Sequence, residues 1–206
     1  MIRKVGDWAR ARQATTALGP RFKRAVSKAM LKEAHFYRSK IIEGFRTGAP
    51  GGQKWKPLAP ATIAGRKMKG FGGTKVGIVT GTMRNSTSVV QRNNEVFIGI
   101  KRSAKSADGE SLVDIALVFT KGAIIVQNMS EQQRKFLGAL MSKVGGNGGT
   151  GPSGSKGVLV IKIPARPIFE PIWEKYGGNK GAKRFYARVA AEMGGTLGLL
   201  GRGLLG

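Results

Sequence analysis

A run of apolar residues at helical spacing is the feature that most constrains how this 206-residue chain can fold. Across residues 21–45 apolar side chains recur every three or four positions, while basic residues occupy the other faces, which predicts an amphipathic helix. Pro20 fits its first turn, and Gly44 or Gly48 can end it. The apolar stripe consists of Phe22, Val26, Ala29, Met30, Ala34, Tyr37, Ile41 and Phe45.

The remainder of the chain alternates short β-type runs with short helical ones. Runs rich in β-branched residues predict strands at 76–80, 87–92, 95–101, 113–119, 123–127 and 158–163. Asn93-Asn94 predicts a tight hairpin turn between two of them, because asparagine tolerates positive φ. Lys121-Gly122 predicts a second hairpin, which would pair residues 113–119 with 123–127. Strands beside helices in this order predict an α+β fold, with the long helix packed on an antiparallel sheet.

Shorter helices are predicted at 60–68, 131–143, 168–176 and about 180–193. Pro60 suits a first helical position. Ser130 and Gln133 form a capping-box pattern ahead of the second of these segments. His35, the only histidine, falls inside the long helical pattern and is interpreted as an ordinary helix residue.

Three segments lie outside the predicted single domain at 21–193 or interrupt it. Residues 1–20 predict a basic N-terminal arm that is either weakly structured or a short helix; residues 1–40 together hold eleven Lys and Arg against two acidic residues. Residues 144–157 hold seven glycines in fourteen positions and predict a mobile loop. Residues 194–206, with six glycines among leucines, predict a flexible tail too rich in glycine to hold a helix alone.

Composition excludes several classes of function. The chain has no cysteine and one histidine, which argues against a disulfide framework, a zinc hydrolase or a Ser-His-Asp enzyme. Its eleven acidic residues are scattered, without a pair for acid–base work. We therefore predict that the chain is not an enzyme and has no catalytic, cofactor-binding or metal-binding residues. No apolar run approaches a membrane span, so no membrane partner is expected.

Charge and one short motif bear on ligands. The formal net charge of +25 demands a polyanionic or acidic partner. The run Gly146-Asn147-Gly148-Gly149-Thr150-Gly151 matches G-x-G-x-x-G literally, but it follows a predicted helix rather than a strand, so it does not predict a dinucleotide site.

Three motifs occur in a fixed order. The first is Gly52-Gln53-Lys54-Trp55-Lys56-Pro57-Leu58-Ala59-Pro60-Ala61-Thr62-Ile63, the second is Thr80-Gly81-Thr82-Met83-Arg84-Asn85-Ser86, and the third is Ile163-Pro164-Ala165-Arg166-Pro167-Ile168-Phe169. In this order they resemble the phage virion morphogenesis family, which includes tail completion proteins of Mu-like and P2-like phages and neighbours the head–tail joining proteins. The resemblance covers about residues 21–188. It departs at the glycine loop, at the tail and at Ala116-Leu117-Val118-Phe119.

The resemblance implies a virion structural protein that acts late in assembly, at the neck or upper tail, and is made in the host bacterial cytoplasm. It implies a hexameric or dodecameric ring whose partners are the portal-side connector and tail tube or sheath subunits. It leaves open a non-specific contact with packaged DNA. A basic, sequence-independent nucleic-acid-binding protein is the main alternative, and a small metal-dependent nuclease is a further one.

Assembly residues are proposed from the three motifs. A proline-rich arm anchored by tryptophan suits an interface or a core, and Thr80-Gly81 suits a turn into the sheet. Arg166 could hold a partner's carboxylate or staple a loop within one subunit; under the interface alternative, Arg166→Ala leaves the monomer folded. The full set is Trp55, Pro57, Leu58, Pro60, Thr80, Gly81, Arg84, Pro164, Arg166 and Pro167.

Overall fold

A computed structural model describes residues 8–93, 95–143 and 158–202. The fold is α+β, as predicted. Over the described residues the helices are α1 (Trp8–Thr47), α2 (Pro60–Met68), α3 (Thr82–Asn85), α4 (Leu112–Lys121), α5 (Glu131–Lys143), α6 (Glu170–Tyr176) and α7 (Gly178–Arg202). The strands are β1 (Thr87–Arg92), β2 (Glu95–Ile100), β3 (Ala123–Asn128) and β4 (Val158–Ile163).

The strands form two small antiparallel sheets of two strands each. In the first, β1 and β2 are joined by the predicted turn, where Asn93 has φ 51°. In the second, β3 pairs with β4 from Ala123 opposite Ile163 to Asn128 opposite Val158. The sequence predicted that the strand after Gly122 pairs with residues 113–119. It pairs instead with β4, a segment far along the chain.

Two of the predicted strands are wrong. Residues 113–119 lie in α4, which begins after Ser111, whose Oγ accepts a hydrogen bond from the Asp114 backbone N–H at 3.4 Å. A serine N-cap with an acidic residue in the first turn stabilises a helix start. Residues 76–80 form turns and bends in place of a strand.

The first helix begins earlier than predicted. It starts at Trp8, so residues 8–20 of the predicted arm are helical and Pro20 lies inside the helix rather than in its first turn. At the other end of the chain α7 continues to Arg202, beyond the end predicted near residue 193, while the flexibility of residues 194–206 remains a prediction. The glycine loop at 144–157 and the ends at 1–7 and 203–206 lie outside the described residues.

Other predicted elements are confirmed within one or two residues. Both bonds of the capping box form: Ser130 N–H donates to Gln133 Oε1 at 2.9 Å, and Gln133 N–H donates to Ser130 Oγ at 3.2 Å. Pro60 occupies the start of α2, and His35 lies exposed in α1. Among the helices of the described residues, none is long and apolar enough to cross a membrane.

The chain divides into two compact units, and the sequence-based prediction of one domain at 21–193 remains a prediction. Unit 1 comprises Met1–Tyr37, Val89–Ile98 and Tyr176–Gly206. Its core joins α1 to α7 through Ala25, Ala29 and Val189. Beside that core, Arg184 Nη2 donates to Glu33 Oε1 at 2.6 Å and to the Tyr176 carbonyl at 2.7 Å, so the two helices are joined by both packing and charge.

Unit 2 comprises Arg38–Ser88 and Gly99–Lys175. One of its clusters packs Leu112 and Ala116 of α4 against Ile100 at the end of β2. The largest fully buried side chains of this unit include Phe45, Ile168 and Ile172. The second half of α1 and the segment around α6 therefore supply the apolar interior in which the first and third sequence motifs meet.

Candidate functional site

Trp55 is the centre of the contact between the first and third motifs, both of which lie in unit 2. Its indole is 9% exposed and packs edge-on against Phe45 and Phe119, with ring centroids 5.7 Å and 5.1 Å away. Its Nε1–H donates to the Pro167 carbonyl at 2.9 Å. Buried indole N–H groups need such a partner, so the Trp55 segment is fixed to the third motif by both packing and a hydrogen bond.

Arg166 makes the reciprocal connection. Its Nε donates to the Lys56 carbonyl at 3.2 Å and its Nη2 to the Pro57 carbonyl at 3.3 Å. Its backbone N–H donates to the Phe119 carbonyl at 3.0 Å, and its guanidinium lies 5.7 Å from the centre of the Phe119 ring. The planar fork thus satisfies two successive carbonyls of the proline-rich arm. We call these contacts of Trp55, Phe119 and Arg166 the staple.

The staple is a contact within one subunit. Arg166 is 6% exposed, and burial, followed by the nearby charge of Arg66, lowers the pKa of its guanidinium below its ordinary value. Arg66 itself donates to the Lys75 carbonyl at 2.9 Å. Of the two roles predicted for Arg166, the local one is therefore the one the structure contains, and its fork is occupied by backbone oxygens.

A close approach of two backbones fixes the turn that leads into the proline-rich arm of the first motif. In the short 3₁₀ turn Pro50–Gly52, Gly51 has φ 61°, and a Cβ at this position would lie 2.2 Å from the Pro171 carbonyl oxygen. Only glycine allows this contact with α6. Residues 53–59 then form neither helix nor strand, as their prolines predict.

The second motif forms a separate local turn. Gly81 is left-handed at φ 80° and caps α3, whose end leads directly into β1. Thr80 Oγ1 and Thr82 Oγ1 are hydrogen-bonded at 2.6 Å, and Arg84 Nε donates to Asn85 Oδ1 at 3.0 Å. The turn predicted at Thr80-Gly81 is thus present, and these side-chain bonds connect near neighbours within the motif rather than the motif to the staple.

The remaining predicted residues differ in exposure. Pro57 and Pro60 are exposed, while Leu58, Pro164 and Pro167 are half-buried. Thr80 is exposed as well, so these two prolines and Thr80 are the members of the predicted set most accessible to another molecule. Trp55 Nε1 and Arg166 Nε and Nη2 donate to carbonyls within unit 2, and both side chains are buried.

The sequence reasoning missed an exposed apolar surface on the β3–β4 sheet. Side chains of paired residues lie on one face, so Ile124, Val126, Val160 and Val158 share one face, and Ile125 and Ile161 share the other. These six side chains are between 39% and 69% exposed. The available signal was the run Ile124-Ile125-Val126, which is apolar without alternation and indicates a strand with both faces to be covered.

The described part of the chain contains no group of three or more His, Asp or Glu side chains that could hold a metal ion. The polar atoms of the staple are donors already directed at backbone carbonyls. The chemistry that the motifs support is therefore the fixing of loops.

Comparison with known proteins adds no relative: no family model, curated protein or solved structure matches the chain.

Proposed function

We propose that this protein is a structural subunit of a tailed-phage virion, which assembles into a ring at the neck or upper tail and completes the tail during morphogenesis. The observation that carries the assembly role is the β3–β4 sheet, which has exposed apolar side chains on both faces. The resemblance of the three ordered motifs to the virion morphogenesis family supports the position in the virion.

A two-stranded sheet of this kind needs a partner. Isolated two-stranded sheets are marginal in water, and a third strand or a packed layer is needed for independent stability. Contiguous exposed apolar patches mark interaction sites. Exposed strand edges also invite pairing with another chain. We therefore expect another protein chain to pack on the sheet or to pair with one of its strands.

A second copy of this chain is the partner that the charge pattern favours. The subunit carries a net charge of +25, so copies repel wherever their basic surfaces meet. The two strands contain one charged residue, Lys162, among their twelve positions. The sheet is thus a surface on which like-charged copies can meet with little direct repulsion, and repetition of such a contact around an axis closes a ring.

The staple has a supporting role in this proposal. By fixing the proline-rich arm to the third motif, it leaves Pro57 and Pro60 exposed on a segment that has already lost its conformational freedom. Pre-ordered segments cost less to bind. We propose that the portal-side connector and the tail tube or sheath subunits contact this arm.

Native mass spectrometry and light scattering of Val126→Gln/Val160→Gln test the assembly role. Both side chains are on the most exposed face of the sheet, and glutamine removes apolar surface without changing charge. We expect the purified protein to form closed rings of six or twelve copies and the double variant to be monomeric. The control is Met68→Gln/Val79→Gln, which replaces two other exposed apolar residues of unit 2, 42% and 44% exposed, and should leave the rings intact.

Two results would contradict the proposal. One is a purified protein that stays monomeric at every concentration tested. The other is a double variant that forms the same rings as the unmodified protein while keeping its circular dichroism spectrum.

A further inference from the structure

Unit 1 contains a basic groove that the assembly role does not use. It lies between the middle of α1 and the β1–β2 turn and has a volume of about 410 Å³. Its lining is Pro20, Lys23, Arg24, Ser27, Lys28 and Asn93. Five of these six residues carry side-chain hydrogen-bond donors, and none is aromatic or acidic. We call this surface the α1 groove.

The positive charge of the α1 groove is only partly neutralised within the chain. Lys28 lies 3.8 Å from Glu192 of α7, but that carboxylate is also bound by Lys32, and the Lys28 side chain is 69% exposed. Among the described side chains, Lys23 and Arg24 have no ion-pair partner, and both are exposed. Residues 16–32 include no acidic residue. Two cations therefore face solvent side by side, with a third beside them.

The opposite wall of the groove is held in place by the first sheet. Asn93 stands at the β1–β2 turn with φ 51°. Gln91 of β1 donates from Nε2 to Ser27 Oγ at 2.6 Å, which ties the strand to the groove floor. Because the Ser27 oxygen accepts this bond, the hydroxyl proton remains able to donate to a ligand. The groove thus presents donors from both a helix and a turn.

We propose that the α1 groove binds the phosphate backbone of duplex DNA without reading its sequence. Lys, Arg, Ser and Asn are the side chains that contact phosphate oxygens in protein–DNA complexes. None of the described lining residues is aromatic, which argues against base stacking, the mode that single-strand binders use. An acidic protein is the less suitable partner, because lysine is depleted in the cores of protein–protein interfaces, whereas this groove has two.

The dimensions of the groove are compatible with this ligand. From Arg21 to Lys28 the helix rises about 10 Å. Along one strand of B-DNA, phosphates are about 3.4 Å apart in axial projection, so the groove spans about three of them. Arg21 and Arg92 are adjacent in sequence to lining residues. This inference goes beyond the assembly role and does not depend on it.

Fluorescence anisotropy with a labelled duplex DNA, over a series of salt concentrations, tests the proposal. We compare the full chain with Lys23→Gln/Arg24→Gln. The matched control is Lys180→Gln/Lys183→Gln, which removes the same charge from exposed positions of the same unit. The groove variant should lose affinity by at least about tenfold, with the salt slope smaller by about two; the control should change by less than about twofold.

Each remaining outcome would overturn the groove as a DNA site. Equal losses in both variants would mean that only total charge matters. Absence of DNA binding by the unmodified chain, or tighter binding of a polyglutamate peptide than of DNA, would point to another partner. Because the proposed contact does not read sequence, duplexes of different sequence should bind with similar affinity. Light scattering of the same samples reports ring formation separately, so failure of DNA binding and failure of assembly are distinguishable.

Discussion

Arg166 shows how one side chain can connect segments far apart in the sequence. Replacing it with alanine leaves the Lys56 and Pro57 carbonyls without their donor and removes its contact with Phe119. Hydrogen bonds to charged groups contribute about 1.5–3 kcal/mol each, so we expect Arg166→Ala to lower the free energy of unfolding by about 3 kcal/mol. Urea denaturation followed by circular dichroism measures this change.

Two further variants make the test specific. Arg166→Lys keeps the charge but lacks the planar fork, so it should recover less than half of the loss. Arg102→Ala, at an exposed position, should change stability by less than about 0.5 kcal/mol. A fully stable Arg166→Ala protein that fails only to assemble would restore the interface role that the sequence allowed.

The sequence identified the staple residues but not their pairing. Trp55 and Arg166 stand out because few positions in a protein accommodate a tryptophan, or an arginine next to proline, without a free-energy cost. Phe119 was missed because it was assigned to a strand, where its side chain had no predicted partner. Which carbonyls Arg166 would bind depends on a contact across 110 residues, and no local pattern encodes such a contact.

At the scale of the element, Gly122 determines how α4 gives way to β3. It has φ 76°, and a Cβ there would lie 2.7 Å from the Ile163 carbonyl oxygen and 2.8 Å from the Ala165 nitrogen. Gly122→Ala therefore combines an unfavourable φ with a clash against backbone, and we expect it to cost about 3 kcal/mol or more. Thermal denaturation compared with the unmodified chain measures the cost.

Gly109→Ala is the matched control for Gly122. Gly109 has φ 83°, but a Cβ added there would meet no other atom within 4 Å. Its substitution should show the conformational cost alone, about 1 kcal/mol. Equal losses at the two positions would show that the close approach to Ile163 and Ala165 contributes nothing.

Elements with strong end signals were the ones that sequence predicted best. The α5 capping box and Pro60 of α2 set their helix starts correctly. Residues 113–119 misled because Val113, Ile115 and Val118 favour strands. Ser111 and Asp114 carried the opposite signal, a capped helix start, and the tertiary cluster around Leu112 and Ala116 is consistent with it.

At the scale of the whole molecule, the two proposed surfaces respond oppositely to salt. Added salt screens repulsion between subunits of charge +25, so ring formation through the β3–β4 sheet should strengthen as salt rises. DNA binding at the α1 groove releases counterions and should weaken over the same range. Sedimentation velocity without DNA measures ring formation, and anisotropy with DNA measures DNA binding. If both strengthened or both weakened as salt rises, the assignment of assembly to the sheet and of DNA binding to the α1 groove would be contradicted.

The molecule-scale features were the least accessible from sequence. An α+β class follows from the order of helical and β-type runs. The existence of two separate sheets does not, because the partner of β3 lies beyond α5 and residues 144–157. Strand pairing at that separation is decided by tertiary packing. The apolar run at Ile124 indicates which side chains of β3 share a face, but it does not indicate which strand pairs with β3.

The staple also imposes an order of events on the ribosome. Arg166 follows Lys56 by 110 residues, and at an elongation rate of about 5–20 residues per second this separation corresponds to about 5–20 s of synthesis. During that interval α1 can form from local contacts, whereas Trp55 and the proline arm have not yet met their partners. The arm acquires its fixed conformation only after Arg166 and Pro167 have emerged, so a nascent or truncated subunit that lacks them would lack the rigid surface that a completed one displays.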